Sequence, residues 1–129
     1  MANSWRPQQT ATQLTSITTE QYFASIVLNT RELCHCQVKV DFPSTPTDDA
    51  EIRVYTTTDR DTVADGSANW DDTTYIDAIT LDSGTDPHSI SFTISGVYRF
   101  RVGVQRSGST DTITSADLYY RFDAVDAAD

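Results

Sequence analysis

Ser95 to Ser107, S-G-V-Y-R-F-R-V-G-V-Q-R-S, is the stretch that decides the fold. Tyr98, Phe100, Val102 and Val104 alternate with Arg99, Arg101, Gly103 and Gln105. A period of two residues sends one set to a core and the other to the opposite face of a sheet. Ser95-Gly96 before it and Ser107-Gly108 after it are turn chemistry, so the strand is bounded at both ends. It reads as the central strand of a β-sandwich, with the rest of the chain arranged to cover its apolar face.

Working outward, the same alternation recurs on both sides. Leu33 to Asp41 turns Cys34, Cys36, Val38 and Val40 inward and His35, Gln37 and Lys39 outward. Ala50 to Thr57 places Ile52 and Val54 inward, with Arg53 and Tyr55 on the far face. Tyr75 to Leu81 is a further strand, His88 to Ile94 alternates through Ile90, Phe92 and Ile94, and Ala116 to Phe122 sets Ala116, Leu118, Tyr120 and Phe122 on one face. Glu20 to Leu28 carries a helical spacing at Tyr22, Phe23, Ile26 and Val27, but its β-branched Ile-Val pair and the surrounding strands favour β. Seven or eight short strands at roughly ten-residue spacing predict an all-β chain, an antiparallel β-sandwich of Ig-like or jelly-roll-like type.

The 129 residues fit one domain. Residues 1–20 are polar, with Trp5 and Leu14 as large apolar anchors, and are expected to form an extended N-terminal arm. The sandwich is expected over 21–123, and 124–129, A-V-D-A-A-D, form an acidic tail. No apolar run approaches the ~20 residues that span a bilayer. The first residues lack the apolar core of a signal peptide, which points to synthesis in a cytosol and either retention there or release by another route.

The formal charge is −10, and sixteen of the nineteen acidic residues are Asp, which favours turns over helices. Such a chain lacks the basic footprint that phosphates need, so neither nucleic acid nor an anionic membrane is expected as a partner. Cys34 and Cys36 sit on one face of a strand, where a mutual disulfide is awkward. They are expected as buried free thiols. A zinc site would need two further ligands at matching spacing, and His35 points to the other face.

The long connection from Thr58 to Thr73 holds Asp59, Asp61, Asp65, Asp71 and Asp72 with Gly66 and Asn69. Calcium could use such oxygens, but Val63 breaks the EF-hand order and the closing Glu is missing, so solvated carboxylates and no cofactor are the favoured reading. His35 and His88 have no nucleophile motif around them, and no phosphate-binding glycine loop is present, so an enzyme is not expected. Binding candidates are Trp70 at the tip of the long connection (whose other reading is a loop tryptophan folded back over the sandwich edge), Trp5, Arg6 and Leu14 in the arm, and Arg99, Arg101, Tyr119 and Arg121. The last four are candidates to share one face, either interleaving with a neighbour's carboxylates or lying as a solvated surface.

Val40–Tyr55, V-D-F-P-S-T-P-T-D-D-A-E-I-R-V-Y, then N-W-D-D-T at Asn69–Thr73, then Ser95–Asp117, S-G-V-Y-R-F-R-V-G-V-Q-R-S-G-S-T-D-T-I-T-S-A-D, form an ordered set of motifs. This set resembles small virion structural proteins of tailed bacteriophages, over about Val40 to Asp123. The resemblance implies a non-enzymatic subunit similar to head decoration (cement) proteins, which sit on the capsid surface in the virion. Its implied partners are the major capsid protein and sister copies, in a homo-oligomer such as a trimer. A place in the neck, tail or a fibre is the first alternative, and a carbohydrate-binding adhesin module the second.

Overall fold

The computed structural model describes residues 8–57, 70, 74–84 and 88–124. Ten strands run through them: β1 (Gln9–Thr10), β2 (Leu14–Ile17), β3 (Gln21–Tyr22), β4 (Ile26–Val27), β5 (Glu32–Asp41), β6 (Ala50–Thr57), β7 (Thr74–Leu81), β8 (Ser89–Ser95), β9 (Arg99–Arg106) and β10 (Ile113–Ala124). They form two antiparallel sheets. The first has the order β1-β10-β5-β8, with β2 also on β10; the second has β3-β9-β6-β7, with β4 also on β9. If β1 with β2, and β3 with β4, are each counted as one interrupted strand, this is the interleaved order of a jelly roll.

β9 lies between β6 and the β3/β4 pair, as its alternation predicts. Val102 faces Val54 and Val104 faces Ile52 across the ladder. Phe100, Val102 and Val104 are essentially inaccessible, and they meet Cys34, Val38, Ala116 and Leu118 of the other sheet in one core. Each such side chain contributes about 1.5–3 kcal/mol through burial. Cys34 and Cys36 belong to that core as free thiols with their sulfurs 3.8 Å apart. The neighbouring Cys34 sulfur and burial push the Cys36 thiol far up, so it is an inert apolar group.

Part of the segment expected as an extended N-terminal arm pairs with the sandwich of its own chain. Gln9–Thr10 and Leu14–Ile17 are laid along β10, Ala11 N–H donates to Leu118 C=O at 2.9 Å, and Ile17 is fully buried. The open edge of the longest strand offers a row of backbone groups that polar residues satisfy as well as apolar ones. Glu20–Leu28 is also not one strand. It is two short ones along β9, with Phe23 and Leu28 buried in the core while their N–H groups still donate to the C=O of Val102 in β9 and of Tyr98 just before it.

Two turns at one end are tied by carboxylates. Asp48, which is buried, accepts the N–H groups of Thr110 and Asp111 at 2.9 and 2.8 Å. Asp111 in return accepts those of Thr47 and Asp48, and these bonds hold its carboxyl below its ordinary value. Among the described residues, no helix is long and apolar enough to cross a membrane.

Candidate functional site

The strand pleat puts polar side chains on two outer faces, one per sheet, and the topology divides the candidate residues between them. Arg99 and Arg101 are on β9 of the second sheet, whereas Tyr119 and Arg121 are on β10 of the first. The shared face is therefore ruled out. β9 and β10 are consecutive in sequence, but the connection crosses from one sheet to the other, and alternation along each strand cannot show that crossing.

On the second sheet the groups are turned toward one another. The Arg101 guanidinium lies 3.9 Å from the Tyr22 ring centre, 5.0 Å from Trp70 and 5.3 Å from Tyr55. Glu20 closes the cluster, accepting the hydroxyls of Tyr22 at 2.8 Å and Tyr55 at 2.9 Å. Gly103 makes room for this. A Cβ there would stand 2.9 Å from Glu20 Oε2 and 3.1 Å from Tyr22 Cε1. Burial, reinforced by the Glu20 carboxylate, pushes the Tyr22 hydroxyl up to about 12. Trp70 is 6% exposed. It covers the sheet, the folded-back arrangement of its two readings. Arg99 also turns inward to its own chain, reaching Ser25 Oγ at 3.3 Å.

The first sheet presents a different face. Register lines up Tyr119, Gln37 and Ser91 in one row across β10, β5 and β8, and Arg121, His35 and Thr93 in the next. With Gln8 they line a shallow groove of about 420 Å³. His35 Nδ1 is 3.0 Å from Thr93 Oγ1, and its Nε2 is 3.6 Å from Asp123 Oδ2. Lys39 Nζ stands 5.2 Å from the Tyr119 ring centre. Arg121 Nε is buried with no hydrogen-bond partner among the described residues. A hydroxyl, an imidazole and a carboxylate do meet here. However, sheet N–H groups point within the sheet toward neighbouring strands, so none is aimed at an oxyanion above the face. The arrangement suits contact with polar or carboxylate groups better than acyl transfer.

Leu14, partly buried, packs against the core from β2. Trp5 and Arg6, and the calcium candidates Asp59, Asp61, Asp65 and Asp71 with Asp72, Gly66 and Asn69, lie outside the described residues. Sequence reasoning missed Glu20 and Gly103 at the arginine cluster and Asp48 and Asp111 at the turns. The Thr-Asp pairs Thr47-Asp48 and Thr110-Asp111, each beside a turn, are the signal that could have found the second set.

No known protein family matches the chain, and no curated protein does. Among solved structures, a chain described under "Bacillus endospore appendages form a novel family of disulfide-linked pili" is similar at 16% identity with a TM-score of 0.55. The match covers 98% of this chain and 96% of that one. The likeness defines the class of fold, an all-β sandwich shared over its full length.

Proposed function

We propose that the chain is a non-enzymatic structural subunit of a repeating protein assembly, and within that class a head decoration protein of a tailed phage. The supporting observation is the likeness, along nearly the whole of both chains, to a subunit of a polymeric appendage. The ordered motifs of Val40–Asp123 point from that class toward the virion. The jelly roll is a fold that viral coats use repeatedly. Many copies on a lattice turn modest contacts into firm attachment, so a flat face carrying Tyr119 and Arg121 needs no deep pocket. The role expected of the segment ahead of Gln8, with Trp5 and Arg6, is contact with the capsid or a sister copy.

An extracellular appendage is the second reading, favoured by the fold of the pilus subunit. Its disulfide links do not transfer to the cysteines here, because Cys34 and Cys36 are both in the core. Whatever assembly this sandwich enters is expected to survive a thiol reductant.

Electron microscopy of the purified protein, alone and mixed with empty phage heads, separates these readings. Regular added density on the shells supports decoration, and density only at the vertex or along the tail moves the protein elsewhere in the virion. Filaments from the protein alone favour the appendage. Protein that neither polymerises nor binds any part of the particle would overturn the structural role. The adhesin alternative is then tested on a glycan array with and without calcium.

A further inference from the structure

The two sheets leave four edges, and three of them are interrupted. The edge formed by β1 and β2 is in pieces of two and four residues, with Ser16 at a φ of 51°. The β3/β4 edge is two pieces of two residues each. β7 pairs with β6 through register shifts at Ile52/Val54 and Val54/Tyr55. Short pieces and irregular pairing are the usual protections of a sheet edge.

β8 has neither. Its seven residues, S-I-S-F-T-I-S, keep a regular register with β5, and among the described residues they form no ladder on the other side. The strand contains no charged residue and no proline. Val40 N–H donates to His88 C=O at 2.9 Å, in the same register as the ladder. Antiparallel alternation then turns the backbone of Ile90, Phe92 and Ile94 toward β5, and that of Ser91 and Thr93 toward the open side. Ile90 and Phe92 stay only half-buried at this edge, while Ile94 is fully covered.

The central residues Ile90-Ser91-Phe92-Thr93-Ile94 also read nearly the same in both directions. We propose that β8 pairs antiparallel with β8 of a second copy, about a two-fold axis at Phe92. In that register Ser91 faces Thr93 of the partner, Ile90 faces Ile94, and Phe92 faces its own counterpart. Ser91 and Thr93 are the residues whose backbone groups turn outward, so each pair exchanges N–H and C=O across the new ladder. A two-fold contact requires a patch complementary to itself, and a strand palindromic in pattern supplies one. The charge distribution favours the same place. Two copies at −10 each repel over most of their surface, and an uncharged strand is where they can approach. One added strand pairing lies below the ~1,200 Å² of a stable complex, so the free dimer is weak, with a Kd on the order of 100 μM.

Sedimentation equilibrium of the full chain over a concentration series tests this, with Ser91→Pro as the principal variant. Proline removes an N–H that β5 does not use, so β8 keeps its place in the sheet. Reversible dimerisation that Ser91→Pro weakens at least tenfold, with the circular dichroism and melting temperature close to the parent's, is the expected result. Should Ser91→Pro fail to fold, oxidative mixing of Ser91→Cys protein with Thr93→Cys protein decides. The proposed register gives more covalent dimer from the mixture than from either variant alone. A chain that stays monomeric throughout, a folded Ser91→Pro that dimerises unchanged, or mixing with no gain in crosslinking overturns the pairing. The contact stands whichever assembly the chain enters. A protein monomeric by itself that still coats a particle would refute the dimer and leave the structural role intact.

Discussion

The outer faces of the two sheets carry similar residues in opposite conditions. On the second sheet, Arg101, Tyr22, Tyr55, Trp70 and Glu20 are engaged with one another. On the first, Tyr119, Arg121, His35 and Gln37 line an open groove. Both faces are arginines and aromatics alternating with core residues. The lesson is that an aromatic–arginine pattern marks a contact but does not say whether the contact is within the chain or with another molecule. Here the difference is made by Glu20 and Trp70, which come from outside the strands and close over one face alone.

The largest effect that would break the comparison is on the closed face. Arg101→Ala removes a guanidinium held against three aromatic rings and leaves Trp70 and Tyr22 without their common neighbour. A loss of about 2–3 kcal/mol in unfolding free energy is expected from urea denaturation. Gly103→Ala acts on the same cluster from beneath. Its methyl group forces Glu20 and Tyr22 to shift while both are tied by hydrogen bonds, at a cost of about 1–2 kcal/mol. An unchanged denaturation midpoint in either variant would show that the cluster is a surface decoration and not part of the packing.

How far the sequence revealed these faces differs by element. β5, β6 and β8 to β10 were legible because each buries one side, and a buried side imposes a period of two. Ala50–Thr57 matches β6 to the residue. β1 and β2 were not legible, because Gln9 and Thr10 join the sheet through backbone groups that no side-chain pattern records. Tyr22, Phe23, Ile26 and Val27 carry a mixed spacing because this stretch pairs with β9 as two separate short strands and not as one continuous strand. At the candidate site, Arg101 and Trp70 were visible as chemically conspicuous residues. Their contact was not, since 31 positions separate them and neither periodicity nor composition reports which loop folds over which strand.

The open face gives smaller changes in stability. Arg121→Ala and Tyr119→Ala, both half-buried, are each expected to shift the unfolding free energy by no more than about 1 kcal/mol. Under the proposed function their effect falls on assembly. Both should lower occupancy on the particle in a co-sedimentation assay while the isolated protein melts as before. If either destabilised the fold as much as Arg101→Ala, the two faces would be equivalent and the open groove would be structural.

The smallest expected effect is on alkaline stability, and it sharpens the comparison by group. Tyr22 on the closed face is raised from 10.0 to about 12 by burial and by Glu20. A group whose folded value is raised favours the folded state fully below its unfolded value, and that contribution is lost as pH rises toward the folded one. Stability attributable to Tyr22 is therefore intact below pH 10 and declines between pH 10 and about 12. Tyr22→Phe cannot ionise there, so its melting temperature should fall less steeply than the parent's over that interval. Arg101 lowers the Tyr22 value by its charge, so Arg101→Ala should move phenolate formation to higher pH in an ultraviolet titration. A shift to lower pH in that variant would mean that the guanidinium helps shut water away from the Tyr22 hydroxyl more than it stabilises the phenolate.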